Sequence, residues 1–121
     1  MANKQRLRRL ADVIQRELSA LLLTEVKDPR VGLITITDVD VSPDLAHAKV
    51  FYTTMAEGEA RAHTRDGLKR AAGFLRTELG QRMSTRAVPE LRFVFDDSVE
   101  RGAHLSRLID EAVTSGKPPE D

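Results

Sequence analysis

"LITITDVDVSPDLAHAKVFYTTM", residues 33–55, contains two segments rich in β-branched residues and separated by a turn sequence. Residues 33–41 alternate in polarity with period two, which is typical of a β-strand. Pro43 is preset for the second position of a turn, and residues 46–55 predict a second strand. The two strands are therefore predicted to pair as a hairpin and to begin the sheet of the fold.

The apolar residues of the first predicted strand change phase half-way along it. Ile34 and Ile36 occupy even positions, whereas Val39 and Val41 occupy odd ones. In a regular strand these pairs would point to opposite faces, because successive side chains alternate between the two sides of a sheet. Burial on both faces is one explanation, but we favour a β-bulge near residues 37–38 that re-aims the second half of the strand.

The sequence on either side of the hairpin predicts three helices and a third strand. Apolar residues at three- and four-residue spacing predict a helix over about residues 4–26 and another from residue 57 onwards. Residues 88–97 alternate as a strand, and Asp97 with Glu100 resembles a capping box at the start of a last helix. A sheet with one apolar face needs helices packed on it. We therefore predict a two-layer α+β fold, with the first two helices on one face and the other face partly open.

Length and composition limit the chain to one domain. The 121 residues are enough for one core but few for two typical domains. We place this domain at residues 1–113 and expect the polar residues 114–121 to form a disordered tail. Cysteine is absent, and no apolar run approaches the ~20 residues of a membrane span, which favours a cytoplasmic protein that contacts no membrane. We expect a monomer, because no predicted apolar stripe is left without a partner.

The net charge is zero, but charges of opposite sign are segregated along the chain. Residues 1–30 and 61–92 carry net charges of +3 and +5, whereas residues 31–60 and 93–121 each carry −4. Such segregation can give a neutral molecule one positive surface, although basic exposed helix faces also occur without a polyanionic partner. The charge pattern alone leaves both interpretations open.

The second helical region contains a glycine in its middle. In LKRAAGFLRTELGQRM, residues 68–83, Gly73 costs about 1 kcal/mol relative to alanine if the segment is helical. One interpretation is a bend that lets a ligand approach the backbone closely. The other is tight packing of the glycine against the sheet.

The same region carries a basic face. With 100° per residue, Arg65, Lys69 and Arg76 lie within about 40° of one another, beside the apolar stripe. A straight helix continued past Gly80 would bring Arg82 into that stripe. We therefore expect the helix to bend or end before this point.

No pattern of catalytic or metal-binding residues is found in the sequence. The three histidines, His47, His63 and His104, lack metal-ligand spacing, and phosphate-binding glycine loops are absent. Asp38 and Asp40 share a predicted strand face, but solvated carboxylates explain them without acid–base chemistry. We therefore predict a protein without catalytic activity, metal site or cofactor.

Three longer segments resemble one protein family. They are ADVIQRELSALLLTEVKDPRVGLITITDVDVSPDLAHAKVFYT, LKRAAGFLRTELGQRM and PELRFVFDDSVERGAHLSRLIDE, and the resemblance covers about residues 6–112. The chain is similar to ribosome-binding factor A, a bacterial family of small-subunit maturation factors. The resemblance implies a single-domain type II KH-like fold. It also implies that an A-x-G kink between two helices, here Ala71–Gly73, replaces the G-x-x-G clamp of K-homology domains.

The resemblance further implies a function. Family members bind the immature small (30S) ribosomal subunit and its 16S rRNA, assist late maturation and 5′-end processing, and are important in the cold, without catalysis of their own. Maturation GTPases are further partners to expect. From position and charge we assign the RNA contacts to Arg65, Lys69, Arg70, Arg76 and Arg82, to the backbone at Ala71 and Gly73, and to a second basic cluster of Arg6, Arg8 and Arg9.

Two other functions stay open. A KH-type module that binds single-stranded RNA or DNA away from the ribosome would prefer short unstructured oligonucleotides. A protein-interaction adaptor for other assembly factors would bind its partner independently of salt. An enzyme with an unrecognised site is a more remote alternative. The few aromatic residues, such as Phe51, Phe93 and Phe95, are expected in the core, which favours recognition of RNA shape and backbone over base readout.

Overall fold

The computed structural model describes residues 4–24, 34–83 and 88–114. Within these ranges it contains three helices and three strands in the order α-β-β-α-β-α. Their bounds are α1 Lys4–Thr24, β1 Ile34–Val41, β2 His47–Thr54, α2 Gly58–Met83, β3 Glu90–Phe95 and α3 Ser98–Thr114. The predicted α+β class with a three-stranded sheet is confirmed.

The sheet has the strand order β1-β2-β3, so β2 lies in the centre. Strand β2 pairs antiparallel with β1, as the hairpin prediction required, and parallel with β3. The register of the first pair shifts between Ile36 and Asp38, which is the predicted bulge. Because of this bulge, Ile36 and Val39 are both buried on the same side although one position is even and the other odd.

Helices α1 and α2 cover one face of the sheet and form the core with it. The main core cluster contains five aliphatic side chains of these helices that have no exposed surface: Ile14, Leu18, Leu21, Leu75 and Leu79. They pack in one cluster with buried residues of all three strands, which include Ile36, Val39, Val41, Ala48, Val50 and Leu91. Full burial of one such side chain contributes about 1.5–3 kcal/mol, so this contact between the layers is the main stabilising feature of the domain.

The opposite face of the sheet is partly open, as predicted. The β2 side chains alternate, with Val50 and Tyr52 buried and Phe51 half-buried on the outer face. Phe93 and Phe95 are partly buried and pack against the core. The expectation that the aromatic residues lie in the core therefore holds for Phe93 and Phe95 but is wrong for Phe51, because the strand period places its ring on the outer face.

Arg61 joins three elements at one end of the domain. Its Nε donates to the Ala56 carbonyl oxygen at 3.1 Å, and its Nη2 donates to Glu100 of α3 at 2.7 Å. The guanidinium carbon lies 4.1 Å from the centroid of the Phe95 ring, which is a cation–π contact. The same ring packs edge-on against Tyr52, with 5.8 Å between the centroids. One arginine thus connects the start of α2, the end of β3 and the first turn of α3.

Asp96 fixes the start of α3. One carboxylate oxygen accepts the Thr37 hydroxyl at 2.7 Å, and the other accepts the Ser98 N–H at 2.9 Å. These hydrogen bonds, that from Thr37 above all, lower the pKa of the Asp96 carboxyl below its ordinary value. The helix begins where the sequence predicted, but Glu100, assigned to a capping box, accepts a hydrogen bond from Arg61 instead.

The turn between β1 and β2 is held by a second carboxylate. Asp44 accepts the Ser42 hydroxyl at 2.6 Å and the Ala46 N–H at 3.0 Å. The hydrogen bond from Ser42 is the main reason that the pKa of the Asp44 carboxyl is lowered. The next residue, Leu45, has φ of 63°, in the left-handed region, and its N–H donates to the Ser42 carbonyl oxygen at 2.9 Å. The polar network of the turn therefore holds a conformation that leucine rarely adopts.

Helix α3 carries an exposed apolar stripe. Leu105, Leu108 and Ile109 expose 58%, 48% and 55% of their surface, respectively. The monomer prediction assumed that every apolar stripe would be buried, and this assumption is wrong for α3. Thr114, assigned to the disordered tail, is the last residue of this helix, whereas residues 115–121 of the predicted tail lie outside the described residues.

None of α1, α2 and α3 combines the length and apolar character that crossing a bilayer requires.

Replacing Leu18 by alanine should lower the free energy of unfolding by about 2–5 kcal/mol, because the side chain is fully buried between α1 and the sheet. Leu23 of the same helix is 79% exposed, so Leu23→Ala is the matched control and should change stability by less than about 0.5 kcal/mol. Urea unfolding followed by circular dichroism measures both. Equal losses in the two variants would contradict the packing of α1 described above.

Acid should destabilise the fold partly through Asp44 and Asp96, whose folded-state pKa values lie below the ordinary value of 3.8. A carboxyl with a lowered pKa stabilises the fold fully above its unfolded-state pKa, and this contribution is lost as the pH falls through the folded-state value. We expect the free energy of unfolding to fall below about pH 4, and less steeply in the Asp44→Asn/Asp96→Asn variant. Urea unfolding at a series of pH values measures both slopes, and identical slopes would disprove the role of these carboxyls.

Candidate nucleic-acid interface

A cleft lies between α2 and β3, the strand at one edge of the sheet. Its cavity volume is about 550 Å³, within the ~300–1,000 Å³ of typical small-ligand sites. The lining residues are Arg65, Lys69, Ala72, Gly73, Arg76, Glu90, Leu91, Arg92 and Phe93. The cleft thus combines four cations with apolar side chains and one carboxylate.

Three of the four cations are those that helical spacing had grouped together. Arg65, Lys69 and Arg76 all line the cleft, so the predicted basic face is present in the structure. The Arg76 Nε donates to the Val88 carbonyl oxygen at 3.0 Å, which orients its guanidinium group. Arg65 lies 3.5 Å from Asp66, but both side chains are more than half exposed, and such surface pairs contribute little. The charges of this face are therefore available to an anionic ligand.

Arg92 and Glu90 belong to the cleft but were not among the predicted site residues. Both lie on β3, at alternate positions that share the outer side of the strand. The period-two alternation of the sequence predicts that Glu90 and Arg92 share this side of the strand. The sequence does not reveal that β3 pairs parallel with β2 at the sheet edge nearest α2, and this pairing brings them into the cleft.

Gly73 is exposed in the cleft and lies within a continuous helix. The A-x-G segment was expected between two helices, but α2 is a single element from Gly58 to Met83. A Cβ atom added at Gly73 would meet no atom within 4 Å outside its chain neighbours and its own helix backbone. Packing against the sheet does not require this glycine, so that interpretation is wrong. The missing side chain leaves the helix backbone open on the cleft side.

Other predicted RNA-contact residues of α2 lie outside this cleft. Arg70 is exposed but does not line the cleft, and Ala71 is half-buried against the core. The helix continues past Gly80 to Met83, so the expectation that it ends before this point is wrong. Arg82 does not enter the apolar stripe, because its guanidinium lies 3.4 Å from the Glu17 carboxylate of α1.

The second basic cluster is not brought to the cleft. Arg6, Arg8 and Arg9 are exposed on α1, the helix that packs beside β1 at the other edge of the sheet. Arg8 lies 3.2 Å from both Asp12 and Asp38, so part of its charge is already compensated. These residues form a separate surface, on which Asp12 and Asp38 lie beside Arg8.

The arrangement of the cleft suits the binding of an anionic ligand. Guanidinium and ammonium groups on its rim can neutralise phosphates, and the open backbone at Gly73 lets a ligand come close. Within residues 4–24, 34–83 and 88–114, no three histidine, aspartate or glutamate side chains are grouped so that they could hold a metal ion.

Comparison with known proteins identifies a family. The family described as ribosome-binding factor A matches residues 6–109. A protein of this name from Nitrosospira multiformis is 55% identical over 109 residues, which cover 90% of this chain and 86% of the relative. Another, from Thiobacillus denitrificans, is 55% identical over 117 residues, which cover 96% of this chain and 94% of the relative.

Solved structures of the same family are also similar. The crystal structure of ribosome-binding factor A from Thermus thermophilus has a TM-score of 0.61 and 28% identity, covering 71% of this chain and 91% of that one. A solution structure from Thermotoga maritima has a TM-score of 0.66 and 31% identity, covering 78% and 90%. A Thermus thermophilus homology model fitted into a cryo-EM map of a 30S–ribosome-binding factor A complex has a TM-score of 0.55 and 28% identity, covering 74% and 90%. These similarities confirm the KH-like fold.

Replacing Gly73 by alanine should raise the free energy of unfolding by up to about 1 kcal/mol, since alanine favours the helix and meets no steric obstacle. Gly102 in α3 also has open space around its Cβ position, so Gly102→Ala is a matched control with a similar expected gain. Urea unfolding measures both. A destabilised Gly73→Ala variant would show that the backbone at this point is more closely packed than described.

Proposed function

The chain belongs to the ribosome-binding factor A family, and we propose that it is a non-catalytic assembly factor that binds the small ribosomal subunit through 16S rRNA. The observation that carries this proposal is the cleft between α2 and β3. Arg65, Lys69 and Arg92 line it together with the open backbone at Gly73. A relative of this chain was fitted as part of a 30S complex, which supports the choice of the small subunit.

The proposed binding mechanism is neutralisation of RNA phosphates. Each phosphate contacted by an arginine or lysine releases condensed counterions, and this release is a major source of affinity for nucleic acids. The cleft cations come from two elements that the core holds in fixed relation, so little conformational entropy is lost when RNA binds. Arg76 has an additional task, because its hydrogen bond to Val88 connects α2 with the segment that leads into β3.

We propose further that binding assists late subunit maturation, including processing at the 5′ end of 16S rRNA, and that this assistance matters most in the cold. The factor would act in the cytoplasm as a monomer, with residues 1–113 as its RNA-binding domain, and maturation GTPases would be further partners. The cold dependence has a physical basis, since RNA structures that form wrongly are harder to escape at low temperature. The family assignment supports these finer points.

Two rival functions predict different behaviour. A single-strand binder that acts away from the ribosome would bind short RNA as tightly as it binds subunits. An adaptor that docks another assembly factor through protein contacts would show little dependence on salt, because protein interfaces release few condensed counterions. The exposed Leu105, Leu108 and Ile109 of α3 favour the adaptor as the second candidate, since exposed apolar patches often mark protein contacts.

The triple variant Arg65→Ala/Lys69→Ala/Arg92→Ala should bind small subunits more weakly than the unmodified protein. The slope of log affinity against log salt should become shallower by about 2–3, because each lost phosphate contact removes about 0.7–0.9. Arg76 is kept, so that its hydrogen bond to Val88 is not disturbed. Co-sedimentation with purified small and large subunits at rising salt measures affinity and selectivity.

The control for this experiment removes the same number of cations elsewhere. Arg16→Ala/Arg101→Ala/Arg107→Ala changes exposed arginines of α1 and α3 that do not line the cleft. This variant should retain the original slope. Equal weakening by the two triple variants would assign binding to overall charge, and equal pelleting with small and large subunits would refute the proposed function.

A further inference from the structure

Helix α3 has an apolar face that is exposed to solvent. Its larger apolar side chains, Leu105, Leu108 and Ile109, keep 58%, 48% and 55% of their surface exposed. The first turn of the helix is tied to α2, because Glu100 accepts a hydrogen bond from Arg61 at 2.7 Å. Helices α1 and α2, by contrast, pack along the sheet. The apolar face of α3 is therefore the one helix face of this kind among the described elements that a partner can cover.

The exposed apolar residues of α3 follow the spacing of a helix–helix seam. At 100° per residue, four of them lie within about 100° of one another on the helix surface: Leu105, Leu108, Ile109 and Ala112. Three of the four are separated by three and then four residues, which is the alternation found in helices that pair side by side. Arg101, four residues before Leu105, continues the same row. The row is therefore suited to pack against another helix.

The charges of α3 complement a second copy of the same helix. Residues 98–114 carry two arginines and three carboxylates, so no large excess of one sign selects RNA or a strongly basic protein. Arg101 and Glu111 lie on opposite sides of the centre of the apolar row, at nearly equal distances along the axis. An antiparallel second copy therefore brings the Arg101 position to within about one residue rise, ~1.5 Å along the axis, of Glu111 in that copy. A parallel copy would place like charges side by side.

Arg101 is able to bind a carboxylate of another molecule. Its Nε lies 2.9 Å from Asp97 Oδ1, but the two side chains are 73% and 53% exposed, and such surface pairs contribute little. A guanidinium group has five N–H donors, so a second carboxylate can be bound without loss of the first. The contact with Asp97 therefore holds Arg101 in place beside the apolar row rather than occupying it.

We propose that α3 is a self-association surface, through which two copies of the free protein pair in antiparallel orientation. Leu105 of each copy packs against Leu108 of the other, and Arg101 of each copy faces Glu111 of the other. Two-fold symmetry repeats each contact, so one favourable pair of residues contributes twice. No other macromolecule is needed to cover the apolar face.

The size of α3 makes this pairing weak and reversible. A helix of 17 residues is about 25 Å long, so two of them bury less than the ~1,600 Å² of a standard interface. We expect a dissociation constant between about 1 μM and 1 mM. None of the residues that line the cleft lies on α3. The inference therefore goes beyond the proposed function, in which a single chain acts on the subunit.

Sedimentation equilibrium of the full chain tests the pairing. The weight-average mass should rise from that of one chain toward that of two as the concentration increases from about 1 μM to 1 mM. Leu108→Glu should raise the dissociation constant at least about tenfold, because pairing would bury an unpaired charge. Leu23 of α1 is 79% exposed, so Leu23→Glu is the matched control and should leave the dissociation constant unchanged.

Charge exchange tests the antiparallel orientation. Arg101→Glu and Glu111→Arg should each weaken the pairing, because each places like charges opposite one another. The double variant Arg101→Glu/Glu111→Arg should restore it, since the opposite charges then face one another again. Arg107 lies about 150° from the centre of the apolar row, so Arg107→Glu is the control within the same helix and should have no effect. Circular dichroism of each variant verifies that α3 remains helical.

Three results would overturn the inference. They are a single-chain mass at every concentration, association that Leu108→Glu leaves unchanged, and failure of the double charge exchange to restore pairing. Growth beyond two copies would also contradict it, because an antiparallel pair closes on itself. Co-sedimentation of Leu108→Glu with small subunits examines the proposed function separately: retained selective binding supports that function whether or not the free protein pairs.

Discussion

The burial of a single sheet face beneath α1 and α2 is the constraint on which the rest of the structure depends. Side chains alternate along a strand, so a register slip of one residue would expose the apolar set. Strand β1 changes phase at the bulge between Ile36 and Asp38, so that Ile36 and Val39 are both buried in the core although one position is even and the other odd. With that face fixed, β2 occupies the centre and β3 must lie at the edge beside α2.

The cleft forms because β3 lies at the edge of the sheet beside α2. One wall is a helix whose apolar side is committed to the core, so its polar side carries the exposed cations. The other wall is β3, an edge strand that pairs only with β2 within the part of the chain that the structure describes. Gly73 then leaves the helix backbone uncovered where the walls meet. Both walls are held in place by leucines of the core.

The sequence predicts those features of the cleft that depend on residues close together along the chain, and not those that depend on contacts between distant elements. Helical spacing was enough to group Arg65 and Lys69, and strand period was enough to place the bulge. Arg92 and Glu90 were missed because their position depends on a parallel pairing between strands that are distant along the chain. The ion pair of Arg8 with Asp38 joins α1 to β1, and no spacing rule reveals this partner from another element. Local periodicity thus predicts elements and faces, whereas charge compensation requires the tertiary structure.

The parallel pairing of β2 with β3 has a consequence for how the protein folds. The β1–β2 hairpin closes over a short turn, but β3 can pair only after the whole of α2 has been placed across the sheet. Long-range pairing of this kind forms late, since chain entropy must be lost before the contacts form. During synthesis, β3 is also the last strand to emerge. A nascent or partly folded chain can therefore contain the hairpin and α1 without the cleft, and the cleft exists only in completely folded molecules.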